Sequence, residues 1–175
     1  MKDIIMLLSS VLFGILFLFL LFIFSIFVIS GFCKPKYKSF KPGVSIIVPA
    51  YNEEKNIRHC LKSIFNSKYP KNRLEVIVID DGSTDNTLKM LKQYKKVKVF
   101  EQDHLGKVEA LNLGVLNSSN EFIVTVDADT TLDSNCISEL LNPFAGESIG
   151  ATTGNNNVKN SNSLISAFQN VEYHF

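Results

Sequence analysis

Two pairs of carboxylates stand out by their position in the chain. Asp80-Asp81 follows the run Val76-Ile77-Val78-Ile79, and Asp127 and Asp129 follow Ile123-Val124-Thr125-Val126. Charge emerging directly from an apolar strand is costly unless something at that point requires it. Neighbouring carboxylates also repel one another unless a cation or an array of donors holds them. A D-x-D turn offers two oxygen ligands one residue apart, which suits a hard divalent cation that bridges phosphate oxygens. Such a cation acts as a Lewis acid on a leaving diphosphate. The competing role for any of these acids is turn formation or helix capping, and that is the reading for Asp85 and Asp133.

The elements that must position these acids alternate in type. Val44–Val48 is a β-branched strand closed by Pro49, and Leu74–Ile79, Val97–Phe100 and Phe122–Val126 are three more apolar strands. Between them lie helical patterns. Asn52 is expected to cap a helix with Ile57, Leu61, Ile64 and Phe65 on its apolar face. Ser83 or Thr84 is expected to open one carrying Leu88, Leu91 and Tyr94. Gly106 precedes one whose apolar row reads Val108, Leu111, Val115 and Leu116. Ser134 caps the last, with Ile137, Leu140, Leu141 and Phe144, stopped near Pro143 and Gly146. Strand–helix alternation predicts an α/β fold, a mostly parallel sheet with helices on both faces. Ligands bind such sheets outside the carboxyl ends of the strands. Pro49–Glu54, Asp80–Ser83 and Asp127–Thr130 therefore share one edge.

Ahead of this lies a run from Ile4 to Cys33 without a charged residue. It exceeds the roughly 20 apolar residues that cross a bilayer and the about 7–15 of a signal-peptide core. The division expected is a transmembrane anchor over residues 1–33, a basic linker over 34–43 and the α/β domain over 44–175. Lys34, Lys36, Lys38 and Lys41 crowd the C-terminal flank, which predicts an N-terminus outside and the following domain in the cytoplasm. The formal net charge of +1 and dispersed lysines exclude a nucleic-acid binder as a class. Cys33, Cys60 and Cys136 are far apart and read as packing residues, neither a zinc site nor a disulfide framework.

Four segments in order carry a resemblance: Val44-Ser45-Ile46-Ile47-Val48-Pro49-Ala50-Tyr51-Asn52-Glu53-Glu54, Val78-Ile79-Asp80-Asp81-Gly82-Ser83-Thr84-Asp85, Gly106-Lys107 through Ala110-Leu111-Asn112, and Val126-Asp127-Ala128-Asp129-Thr130. Together they resemble inverting family 2 glycosyltransferases, enzymes of GT-A fold that use a nucleotide sugar, usually a UDP-sugar. Ile149–Asn155 and Gln169-Asn170-Val171-Glu172-Tyr173 are similar to the membrane-bound branch of hyaluronan, chitin, cellulose and poly-N-acetylglucosamine synthases. The resemblance implies that Pro49, Ala50, Tyr51 and Glu53 shape the nucleotide pocket. It implies that Asp81 recognises uracil with Asp80 in support, and that Lys107 lies near the diphosphate. Asp127 and Asp129 match the metal-binding D-x-D, with Asp129 the direct ligand of Mg²⁺ or Mn²⁺. His59, His104 and His174 read as surface or packing residues, although the family often has Asn or His where His104 lies.

The resemblance also implies parts that this sequence does not contain. Inversion needs a general base to deprotonate the acceptor hydroxyl. In the family that base lies in a downstream T-E-D or E-D motif, followed by Q-x-x-R-W. Past Asp133 the acids are Glu139, Glu147 and Glu172, none in such a context. The expectation is a GT-A fold incomplete at its C-terminus, holding the donor half and lacking the base. The chain is then a fragment, or its C-terminal half is encoded separately. The implied partners are a UDP-sugar, a glycan or lipid acceptor and the membrane. The alternative is a non-catalytic module that binds a nucleotide sugar or a partner at the membrane. A NAD enzyme is excluded because Pro49–Glu54 is not the G-x-G-x-x-G that follows its first strand.

Overall fold

The computed structural model describes residues 2–32, 37–146 and 148–155. Cys33, Lys34, Lys36, Glu147 and the Gln169–Tyr173 segment lie outside the described residues, as do Glu172 and His174. Two compact units divide after Tyr37. The first contains helix α1, Lys2–Phe32, whose stretch Ile4–Ile29 is long and apolar enough to cross a membrane. Nearly every large side chain along it is exposed.

The second unit is built on four parallel strands: β1 Val44–Ala50, β2 Leu74–Asp80, β3 Lys98–Glu101 and β4 Phe122–Thr125, in the order β3-β2-β1-β4. The family-like α/β architecture expected from the sequence is therefore present. Side chains alternate across it with the period of two. Val44, Ile46, Val48, Val76 and Val78 face one side, where they meet helices α2 (Ile57–Asn66), α3 (Thr87–Leu91) and α5 (Cys136–Leu141). Ile77 and Ile79 face the other side and meet helix α4, Lys107–Leu116. The larger core is sealed by Ile57, Cys60, Leu61 and Ile64 of α2, all fully buried. Each buried aliphatic side chain there contributes about 1.5–3 kcal/mol.

Pro49 sits inside β1 although β1 is a central strand, where proline would normally cost a ladder hydrogen bond. Pairing with β4 has already ended at Ile47↔Thr125, and the Ile47 carbonyl accepts from Val126 N at 3.0 Å. By alternation the missing N–H of Pro49 faces β4, so the ladder to β4 stops here while the ladder to β2 runs on to Ala50↔Asp80.

Four local expectations are corrected. Asn52, Ser83, Thr84 and Ser134 cap no helix, because their side chains or backbones serve loop contacts instead. Asn52 has φ 54° and binds the loop after β2, and α2 begins only at Ile57. Asp85 and Asp133 do form local turns, accepting from Thr87 N and Asn135 N at 2.9 Å each. The contact face of α4 is Ala110, Leu113 and Gly114, while Val108, Val115 and Leu116 are exposed. A Cβ on Gly114 would lie 2.4 Å from Ile47 Cγ2, so the helix approaches the sheet through its smallest residues.

Candidate functional site

All four strands deliver their last residues to one edge. A cavity of about 280 Å³ opens there, and its floor is Pro49, Ala50 and Ala128. Tyr51, Glu53, Asp81, His104, Gly106 and Lys107 line it from three loops, with Asp127 and Asp129 at the end of β4. Of the residues assigned to the site from the sequence, Asp80 alone does not line the cavity. It is 2% exposed beneath it, with Oδ2 accepting from Ser83 N at 3.2 Å and Oδ1 without a partner among the described residues. A second cavity of about 290 Å³ lies between α2 and the Thr131–Ser134 segment, and neither acidic pair lines it.

The loops after β1 and β2 are clamped together. Asn52 Oδ1 accepts from Thr84 N at 2.8 Å and Asp85 N at 3.3 Å, and Asn52 N donates to Ser83 Oγ at 2.9 Å. Glu53 N donates to Thr87 Oγ1 at 2.8 Å, and Glu54 Oε2 accepts from Asn86 N at 3.1 Å. The left-handed backbone at residue 52 aims the amide into the second loop, a conformation asparagine tolerates better than most residues.

Asp81 is held far more tightly than its neighbours. Oδ1 accepts from Gln102 Nε2 at 2.6 Å and Leu105 N at 2.9 Å, and Oδ2 from Gly106 N at 3.0 Å. His104 Nδ1 lies 2.9 Å from Oδ2. Burial by itself would raise the Asp81 carboxyl, but these donors and the histidine outweigh it and hold it below the usual carboxylate range. Asp81 therefore ties down the whole Gln102–Gly106 loop in addition to facing the cavity.

The acids after β4 are in the opposite condition. Asp127 pairs with Lys107 at 2.5 Å, both side chains more than half exposed. Asp129 is exposed, and no hydrogen bond or ion pair engages its carboxylate among the described residues. Their field reaches the core: burial first, then Asp129, Asp127 and Glu53, push the Cys60 thiol up to about 12. Cys60 is therefore a neutral packing residue, its Sγ 3.6 Å from the Asp127 carbonyl. Among the described residues no group of three or more His, Cys, Asp or Glu could hold a metal ion. The donor set is two hard carboxylates at an open rim. It fits a divalent cation that takes its remaining ligands from phosphate oxygens and water.

His104 and Gly106 complete the cavity wall, and His104 is the residue that sequence reasoning assigned elsewhere. Its ring stacks on Tyr51, with centroids 4.0 Å apart. The available signal was its place just before Gly106-Lys107.

Comparison with known proteins agrees with this architecture. Residues 45–170 match the family model described as "Glycosyl transferase family 2". The poly-beta-1,6-N-acetyl-D-glucosamine synthase of Staphylococcus epidermidis is 33% identical over 136 residues, covering 75% of this chain and 32% of the relative. The enzyme of that name from Staphylococcus aureus strain COL is 32% identical over the same share of each chain. The chain thus spans about a third of the length of the curated relatives it matches. Among solved structures, a mannosyltransferase from Pyrobaculum calidifontis in complex with GDP-Man and Mn²⁺ superposes with a TM-score of 0.62 at 28% identity, covering 67% of this chain and 38% of that one. S. aureus TarS in complex with UDP-GlcNAc gives 0.54 at 26% identity, covering 66% of this chain and 38% of that one. A four-strand parallel sheet with its acidic pairs on one edge, and a family match across most of the unit that carries them, lead to one assignment: the chain belongs to glycosyl transferase family 2.

Proposed function

We propose that residues 44–175 are the donor-binding part of an inverting glycosyltransferase. It holds a UDP-sugar and supports transfer to a glycan or lipid acceptor in cell-surface polysaccharide synthesis. The observation that carries this reading is the convergence of Tyr51, Asp81, Lys107, Asp127 and Asp129 on one cavity. It is supported by relatives named for polysaccharide synthesis and by a neighbouring structure that contains UDP-GlcNAc. Residues 1–33 anchor the enzyme in the membrane, residues 34–43 link the two parts, and the lysine-rich flank keeps the domain on the cytoplasmic side.

In this reading Tyr51 offers an aromatic face to the base and Asp81 accepts its imide proton. Pro49, Ala50 and Glu53 shape the pocket, and Asp80 braces the turn from below. Lys107 presents its ammonium beside Asp127, a point charge where the diphosphate lies. Asp127 and Asp129 would hold Mg²⁺ or Mn²⁺, which when bound neutralises charge on the diphosphate leaving group. These residues supply donor binding rather than the base that deprotonates the acceptor.

Calorimetry of UDP with Mn²⁺ on the full chain in detergent tests the assignment. Asp129→Ala is expected to weaken metal-dependent UDP binding by about 100-fold. Unchanged affinity in that variant sinks the metal assignment.

A further inference from the structure

Tyr51 and Asp81, the two residues assigned to the base, are already engaged by a ring from this chain. His104 stacks on Tyr51 with planes 24° apart and centroids 4.0 Å apart. Its Nδ1 is 2.9 Å from Asp81 Oδ2 and 3.1 Å from the Asp81 carbonyl oxygen. With a proton on Nδ1, the imidazole is a flat ring on Tyr51 with an N–H directed at a carboxylate. A pyrimidine base with an imide N–H would make the same two contacts.

The remaining contacts of Asp81 are backbone or fixed. Leu105 N, Gly106 N and Gln102 Nε2 hold the loop in register, so the bond to the imidazole is the one a ligand can replace without unpinning the loop. His104 is also free to leave. Its side chain is 57% exposed, and an exposed side chain changes rotamer in picoseconds to nanoseconds. Its backbone stays in place because Leu105 N and Gly106 N remain bound to Asp81.

We propose that His104 is an intramolecular competitor for the donor's base, so that a uridine nucleotide binds only after the imidazole leaves Tyr51 and Asp81. The inference rests on the base being bound by Tyr51 and Asp81, as in the proposed function. The ligand-free site is then an equilibrium between filled and open slots, and the apparent Kd equals the intrinsic one divided by the open fraction. His104 thereby sets donor affinity while making no contact that a bound donor needs.

The test compares wild type and His104→Ala, both as full chains in detergent, by UDP calorimetry with Mn²⁺. A parallel NMR titration of histidine-labelled wild type uses UDP with Mg²⁺, which avoids paramagnetic broadening. His104→Ala is expected to tighten UDP binding about three- to tenfold. The His104 ring resonances, shifted upfield by Tyr51 in the free protein, should move to exposed positions at saturation, and Tyr51→Ala should remove the upfield shift. Equal or weaker UDP binding by His104→Ala, or a ring still upfield at saturation, overturns the competitor and leaves the donor site standing. If neither wild type nor His104→Ala binds UDP, the donor-site reading fails and the competitor fails with it.

Discussion

The two ends of the sheet treat their carboxylates in opposite ways. At the amino edge, Glu75 at the start of β2 is 12% exposed and surrounded by donors. Ser45 Oγ donates to it, Lys98 Nζ lies 2.5 Å away, and Ser119 supplies both N and Oγ at 2.9 Å. Asn120 Nδ2 bridges the cluster by donating to Ser45 Oγ at 3.1 Å. Burial would raise the Glu75 carboxyl, but the donors of Lys98, Ser45 and Ser119 outweigh it and bring it to about 2. At the carboxyl edge, Asp127 has one exposed lysine and Asp129 has no donor among the described residues. A carboxylate whose needs are met by the chain stabilises the fold, whereas one left open is available to a ligand. Asp81 belongs to both classes, because it lies at the ligand edge yet holds a loop in place.

The contrast is broken most directly by exchanging readouts between the two edges. Glu75→Ala should cost about 2–4 kcal/mol of stability, since it strands the buried Ser45 hydroxyl and removes the acceptor shared by Ser119 and Lys98, and should leave UDP affinity unchanged. Asp129→Ala should do the reverse, with no loss in a thermal melt, because an exposed acid without partners contributes little to folding. A Glu75 variant that loses affinity as much as stability would erase the distinction.

A pH series sharpens it. Glu75 has a depressed carboxyl in the folded chain, so its contribution is complete above the ordinary value of 4.5 and is lost as pH falls toward about 2. Melting midpoints of wild type and Glu75→Gln should converge across that window. A gap that stays constant would mean Glu75 acts through packing alone. The smallest effect belongs to Lys98→Ala. Lys98 is half exposed, so deleting it should cost only about 0.5–1 kcal/mol by chemical denaturation, well below Glu75→Ala.

Much of this frame was readable from residue order. The four strands are short runs of Val, Ile and Phe, and such runs between helical patterns leave few alternatives to a parallel sheet. The acidic pairs were found because charge directly after a buried strand is conspicuous. Other features depended on partners far apart in sequence. Ser45, Glu75 and Asn120 carry no local sign that they meet, and Asn52 resembles a helix cap until the loop it binds is known. The packing face of α4 was misread for a different reason. Periodicity counts large apolar residues and so favours Val108, Leu111, Val115 and Leu116, whereas the close contact is made by Ala110 and Gly114. His104 was set aside because nothing local pairs it with Tyr51, a contact that closes across two loops.

The left-handed turn at Asn52 has a mechanical consequence. Its backbone N–H and its side-chain carbonyl fasten to three successive residues of the neighbouring loop, Ser83, Thr84 and Asp85. The segment carrying Tyr51 and the one following Asp81 cannot drift apart without breaking several bonds together. They move as one stiff jaw, to which Asp81 also fastens the Gln102–Gly106 backbone, so any breathing of the cavity must come from the His104 side chain and from the wall where Lys107 and the Asp127–Asp129 turn stand.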